Sequence, residues 1–232
     1  MLDERVFRRK LRCTVAQLRA VRVEENGEPL VDIRRGRTEL RVNSSVDPHL
    51  QAFTGTTLFA RKEVVRRVHL ANKRIGELLP GAELLVWTAY RHPYHVVSQF
   101  VGALAIARRM NPELTYRQAE NVVDPFRSVP DISPHATGAA VDVTLVINGK
   151  DGKLLPPKND EDALKHRTKF HPFSLDVREF VRKRRLALRR VMLEAGFAPT
   201  MEEWWHFSYG DREWTRFYKQ RVAMYGPIQF VV

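Results

Sequence analysis

The sequence is short of sulfur, of acid and of unbroken apolar runs, and each shortage narrows what the chain can be. Cys13 is the sole cysteine among 232 residues, so no intrachain disulfide forms and no thiolate cluster holds a metal. Any metal site must be built from His, Asp and Glu. The longest uncharged apolar stretch lies within Phe100 to Ala107, far short of the ~20 residues a membrane helix needs. The opening stretch MLDERVFRRKLRCTVAQLRA carries charges in every turn and no apolar core for a secretory signal. The expected location is the cytoplasm, or the periplasm or cell wall if a signal has been removed. Glycine and proline are scattered rather than clustered, and 44% hydrophobic with 28% charged residues is ordinary globular composition.

Acidic residues number 27 against 39 Lys and Arg, a net charge of +12. A surplus of that sign suits nucleic acid, an anionic surface or simple solubility. The densest basic run, REFVRKRRLALRR from Arg178 to Arg190, has Phe180, Val181, Leu188, Val191 and Met192 at roughly helical spacing. It reads as a solvated face over a buried stripe. No zinc finger or aromatic nucleic-acid motif accompanies it, so nucleic acid is not an expected partner.

The first fifty residues read as a basic helix-prone segment followed by short strands, with Asn26-Gly27 as a hairpin turn signal. A helical pattern from about Thr57 to Leu79 stops at Pro80-Gly81. Glu83 to Arg91 reads as a buried strand, and Pro93 opens a helix to about Arg109. Thr115 to Gln118 matches a capping box within a polar, proline-punctuated stretch. Ala139 to Ile147 reads as a strand ending in an Asn148-Gly149 turn, and Lys150 to Pro172 as loop. Ser174 is placed to cap the basic helix, which ends near Gly196, and a strand-like stretch carries EEWWHFSYG. The expected class is α+β, one domain with an antiparallel or mixed central sheet flanked by helices. Residues 1–50 are expected to form a basic arm or subdomain, and 51–232 the catalytic domain.

Two segments combine metal-ligand residue types with small or aromatic neighbours: Ser133 to Asp142, and Glu203-Trp204-Trp205-His206. Gly138 permits a sharp change of direction between His135, on a loop, and Asp142, on the departing strand. With His206 these give two imidazoles and a carboxylate, a set that suits zinc with an open fourth position. Glu203 is placed to take a proton from a water there. Taken singly, each residue has a plain structural reading: a surface or core histidine, a carboxylate serving the backbone, tryptophans in the core. Glu203 and His206 also point apart on a regular strand, so the site requires a bulge, twist or turn between them.

SPHATGAAVDVTL (133–145) matches the S-x-H-x-x-G-x-A-x-D pattern, and EWWH (203–206) the second signature, of the D-alanyl-D-alanine dipeptidase family, the VanX-like metallopeptidases. LLVWTAYRHP (84–93) resembles the family segment that ends a strand in an arginine near a proline. The resemblance spans about Leu58 to Phe207. It implies that His135, Asp142 and His206 ligate one zinc ion, with the site at the sheet. It further implies that Glu203 is general base, that Arg91 stabilises the tetrahedral intermediate, and that Ser133 helps hold the substrate. The departures fall on the substrate side. LLPPKNDEDALKHRTKFHPF (154–173) lacks the family's Met-Gly…Phe-Asp segment, and His92 separates Arg91 from Pro93.

The function expected from the resemblance is zinc-dependent hydrolysis of D-Ala-D-Ala or a related cell-wall dipeptide. Two alternatives stand beside it: a zinc D,D-carboxypeptidase or peptidoglycan endopeptidase on longer muropeptides, and a non-catalytic basic binding protein. The partner is a small peptide, and the oligomeric state stays open. A dipeptide pocket also needs a carboxylate for the substrate's amine, for which Asp124, Asp131 and the 159–162 run are candidates. His92 and His95, just after Arg91, are candidates to line the cleft but not to ligate.

Overall fold

A computed structural model describes residues 13–36, 38–43, 47–124 and 127–232. The basic residues of the first dozen positions lie outside that range. In chain order, helix α1 (Val15–Arg19) and strands β1 (Leu30–Asp32) and β2 (Arg41–Val42) precede helix α2 (Pro48–Thr54), strand β3 (Phe59–Arg61) and the long helix α3 (Lys62–Leu78). Strand β4 (Ala82–Thr88) is followed by helices α4 (Pro93–Met110) and α5 (Tyr116–Val123), then by strands β5 (Ala140–Ile147) and β6 (Lys150–Asp151). Short helices α6 (Asp160–Lys165) and α7 (Arg167–Phe170) lead to α8 (Glu179–Glu194), and β7 (Ala198–Pro199), β8 (His206–Ser208) and α9 (Arg212–Tyr218) come last.

The fold is a single α+β domain on a mixed sheet of order β2-β4-β5-β8-β7, with β6 added beside β5. Strands β2 and β4 run parallel and the remaining pairs antiparallel. A strand alternates faces residue by residue, so each strand divides its side chains between the two sides of the sheet. Leu84 and Val86 of β4, with Val141, Val143 and Leu145 of β5, face the main hydrophobic core. Helix α3 supplies Val64, Val65, Val68, Ala71 and Ile75 to that core, the i, i+3, i+4, i+7 spacing of an amphipathic helix. Helix α8 adds Leu188, Val191 and Met192. The opposite side of the sheet at β5 and β8 is left for Asp142 and His206.

Several elements match the reading of the sequence. The capping box at Thr115 forms, with Gln118 as its second half. Asn148 and Gly149 adopt positive φ and turn β5 into β6. Other elements differ. The flanks of Asn26-Gly27 do not form a hairpin: Val23 bridges Ala223, and β1 pairs with β3. The pairing with β3 buries Leu30, whereas an isolated two-stranded hairpin is marginal by itself. The helix expected from Thr57 begins at Lys62, because Phe59–Arg61 is taken up as strand β3. Lys150 to Pro172 is not simply loop, since it holds β6, α6 and α7. Ser174 does not cap the basic helix, which starts at Glu179; its hydroxyl accepts from the Asp176 N–H.

The basic run of α8 departs instructively from a solvated face. Phe180 stays 37% exposed, whereas Arg185 is buried. Its guanidinium donates to the carbonyls of Leu154 at 2.7 Å, Leu155 at 3.3 Å and Lys169 at 2.6 Å, and stacks 4.7 Å from the Trp204 ring. Burial pulls its pKa below the usual arginine value. Arg185 thereby pins the 154–169 segment, which walls the cleft described below. Replacing it with alanine orphans those carbonyls, so Arg185→Ala is expected to lower stability by ~2–4 kcal/mol in urea unfolding. A loss below about 0.5 kcal/mol would contradict this role.

Candidate metal centre and its cleft

Strand register brings the site together. Asp142 on β5 lies directly opposite His206 on β8 and, on its other side, opposite Thr88 on β4. The β4–β5 ladder shifts register between Val86 and Thr88, a bulge of the kind that re-aims a side chain next to a site. His135 arrives from a 3-10 turn, Pro134–Thr137, which ends at Gly138 in the left-handed region at φ 73°. The Gly138 N–H donates to the His135 carbonyl at 3.2 Å, and its own carbonyl accepts from Arg61 N at 3.0 Å. Buried Arg61 holds the same turn from behind, its Nε donating to the Thr137 carbonyl at 2.7 Å.

A β-carbon at Gly138 would lie 2.3 Å from Leu30 Cδ2. Gly138→Ala thus meets both a strained φ and a clash, and should cost about 1–3 kcal/mol. Thermal unfolding beside a metal-affinity titration checks this; unchanged stability and affinity would show that the turn tolerates a side chain.

The three donors converge. His135 Nε2 lies 3.2 Å from His206 Nδ1 and 3.3 Å from Asp142 Oδ1, and His206 Nδ1 lies 3.1 Å from that same oxygen. All three residues are buried. His135 Nδ1 is 2.6 Å from the carbonyl of Ala89, which can only accept, so Nδ1 carries the proton and Nε2 turns a lone pair to the centre. Tetrahedral zinc with bonds of ~2.0–2.1 Å sets its donors ~3.3 Å apart. The triangle fits a divalent cation, and among the described residues it is the one His/Cys/Asp/Glu cluster that could hold one.

Electrostatics divide the two imidazoles. Burial, then the charge of Arg91, pulls His135 down to about 4, against the pull of Asp142. Burial also lowers His206, but the hydrogen bond and charge of Asp142 outweigh it and raise it to about 9. Burial works against the Asp142 carboxylate, yet His135 and Arg91 hold it well below the usual range.

Residues 203–206 form the turn that the site requires. The His206 N–H donates to the Glu203 carbonyl at 3.2 Å, and β8 begins only at His206. The Glu203 carboxylate returns to within 4.0 Å of His206 Nδ1 and is 14% exposed. Burial and the charge of Asp142 push its pKa up to about 8, against His206, Arg127 and Arg91. Trp204 and Trp205 are core residues.

Arg91 Nη2 donates to Asp142 Oδ2 at 2.6 Å, with Nε on Thr88 and Nη1 on Gln99. It therefore holds the carboxylate oxygen that faces away from the two histidines. Ser133 is buried and lines the same recess as His135 and Glu203. His92 and His95 do not line this cleft. His92 stacks 4.0 Å from the Phe53 ring and accepts from Tyr94 N, and His95 faces Asp47 at 3.6 Å.

The cleft has two halves. One is walled by Trp87, Trp205, Pro156, Pro157 and Asp160. The other is a small polar recess lined by Gln99, Ser128 and Ser133. Arg91, Arg127 and Glu203 border both. Of the carboxylates proposed from sequence for an amine, Asp160 lines the cleft, whereas Asp131 is tied to Arg19 on the surface at 2.7 Å. Arg127, Gln99 and Trp87 are cleft residues that the sequence reading did not single out. Arg127 carries no local signal: like Arg117, it is one of two arginines scattered between Asn111 and Pro130.

The family model for peptidase family M15, D-Ala-D-Ala dipeptidase, matches residues 53–225. A D-alanyl-D-alanine dipeptidase of Synechocystis is 30% identical, aligned over 90% of this chain and 96% of that protein. Another, of Enterococcus faecium, is 28% identical over 60% of this chain and 67% of that protein. Among solved structures, the vancomycin-resistance D,D-pentapeptidase VanY in complex with Zn(II) aligns at 15% identity and a TM-score of 0.43, covering 79% of this chain and 94% of that one. No described helix is long and apolar enough to cross a membrane. With three quarters of its length matched and a relative aligned nearly end to end, the chain belongs to the M15 peptidase family of D-Ala-D-Ala dipeptidases.

Proposed function

We propose that this peptidase is a zinc-dependent hydrolase of D-Ala-D-Ala or a closely related cell-wall dipeptide. The observation that carries the reading is the convergence of His135 Nε2, Asp142 Oδ1 and His206 Nδ1, with the His135 tautomer fixed by the Ala89 carbonyl. These three residues would hold one zinc ion. When bound, zinc polarises the scissile carbonyl and makes water a usable nucleophile near neutral pH.

The remaining work falls to side chains at the cleft. Glu203, beside His206 but outside the triangle of donors, takes the proton from the attacking water at a carboxylate oxygen and later delivers it to the leaving amine. Arg91 keeps Asp142 in orientation through Oδ2 and presents its positive charge where the carbonyl oxygen becomes negative. Ser133 holds the substrate from the recess. Trp87, Trp205, Pro156 and Pro157 form the apolar part of the opposite wall.

A second reading, a D,D-carboxypeptidase or endopeptidase for longer muropeptides, is favoured by one observation. The wall at 156–160 is a proline-led loop that runs into the first residue of α6, in a segment without the Met-Gly…Phe-Asp pattern of the dipeptidases. Comparing kcat/KM for D-Ala-D-Ala with that for an N-acylated pentapeptide ending in D-Ala-D-Ala separates the two. A dipeptidase prefers the free dipeptide; equal or better cleavage of the pentapeptide would move the assignment to the second reading.

A further inference from the structure

We propose that Arg127 recognises the free C-terminal carboxylate of the substrate in the polar recess beside the metal centre, and so selects peptides that end in a free acid. This rests on the peptidase reading above and names a specificity residue for it.

The two halves of the cleft differ in chemistry. One half sets the apolar Trp87, Trp205, Pro156 and Pro157 beside three carboxylates, Asp142, Asp160 and Glu203. The other half offers the Ser128 and Ser133 hydroxyls, the Gln99 amide and two guanidiniums, with Glu203 as its one carboxylate. A recess so furnished suits an anion. On the leaving-group side of a scissile amide, the terminal carboxylate is the only full negative charge a dipeptide of alanine carries.

Of the two guanidiniums, Arg91 is committed. Its Nη2 lies on Asp142, its Nε on Thr88 and its Nη1 on Gln99. Arg127 is engaged on one side only. Its Nη2 donates to Asp160 Oδ1, which anchors the guanidinium to the 156–160 wall. Its Nε is buried and has no hydrogen-bond partner among the described residues. A buried donor left without an acceptor is uncommon in a folded protein and calls for a partner. Arg127 also borders both halves of the cleft, at the level of Glu203. A guanidinium fork held by one carboxylate keeps further N–H donors for another, and it matches a carboxylate in two-pronged fashion as a lysine ammonium does not.

The test compares zinc-loaded wild type, Arg127→Gln, Arg127→Lys and Asp160→Asn on D-Ala-D-Ala and on its C-terminal carboxamide. Inhibition constants for D-alanine and D-alaninamide are measured in parallel. The wild type is expected to favour the acid over the amide, and Arg127→Gln to reduce that preference by roughly 30- to 100-fold, chiefly through KM. Arg127→Lys retains part of it. Binding of D-alanine weakens by a similar factor in Arg127→Gln, while that of D-alaninamide shifts by less than about threefold. Asp160→Asn keeps the preference, because it removes the ion pair but leaves the fork.

An acid preference that survives Arg127→Gln overturns the proposal. So does a preference lost equally in Asp160→Asn, which would make Arg127 a structural partner of the wall. If the wild type cleaves neither substrate, the dipeptidase reading falls. The recess then stands if D-alanine binds through Arg127 and falls if D-alanine and D-alaninamide bind alike.

Discussion

His206→Ala and Asp142→Ala are each expected to lose zinc on dialysis and to release D-alanine from D-Ala-D-Ala at no more than the background rate. The three donors share one small triangle of 3.1–3.3 Å edges, and no other cluster of such residues is present among the described residues to replace a missing one. Removing one donor of three takes away on the order of a third of a binding free energy near ~10 kcal/mol, or ~10²–10³-fold in affinity. Asp142→Ala has a second consequence, because the largely enclosed Arg91 loses its one 2.6 Å carboxylate partner and keeps only the neutral Thr88 and Gln99. That variant should therefore also lose stability, by about 3–5 kcal/mol as for a broken buried pair. His206→Ala removes no charge partner of Arg91 and should fold more stably than Asp142→Ala. Elemental analysis of dialysed protein together with thermal unfolding reads both effects. A His206→Ala protein that keeps one zinc per chain would move the centre elsewhere.

Glu203→Gln behaves differently: it keeps its zinc and loses its rate. Glutamine matches glutamate in size but cannot accept a proton at a carboxylate oxygen, and a positioned general base contributes ~10²–10⁴-fold. The expected outcome is a kcat lowered by that factor, or ~3–5 kcal/mol of barrier, with KM changed by no more than severalfold. Glu203 sits 4.0 Å from His206 Nδ1, on a turn outside the donor triangle, so the substitution leaves the three donors in place. Zinc lost together with rate would mark Glu203 as a ligand. An unchanged rate would place the base on another residue.

The candidate site was legible in the sequence through two short motifs and their family resemblance. His135, Asp142, Glu203 and His206 stand in two short segments whose residue types are unusual, and a lone cysteine removes thiolate alternatives. The need for a turn between Glu203 and His206 followed from strand geometry, and the hydrogen bond closing that turn is present. The class of fold was legible too, because α3 has clear periodicity and a stop at Pro80-Gly81, and Pro93 marks the start of α4.

What stayed hidden depends on partners distant in sequence. Arg185 sits in a run of arginines and nothing local distinguishes it, yet it alone of that run is buried against carbonyls some thirty residues away. The Asn26-Gly27 turn gave a hairpin signal, but β1 is claimed by β3. Arg127 faces the cleft only because the 156–160 wall folds back to meet it. Arg61 looks like an ordinary basic residue at a helix start, although its guanidinium reaches the carbonyls of Glu28 and Thr137. Each of these is decided by long-range packing, which periodicity and spacing do not encode.

One titration tests the central claim most directly. Protein stripped with a chelator and dialysed is given zinc in steps, and D-alanine release from D-Ala-D-Ala is followed at each step. The rate should start at background, rise in proportion to added zinc and reach its plateau at one zinc per chain. Release by the stripped protein equal to that of the untreated protein, or no release at any zinc level, would contradict a zinc-dependent dipeptidase built on His135, Asp142 and His206.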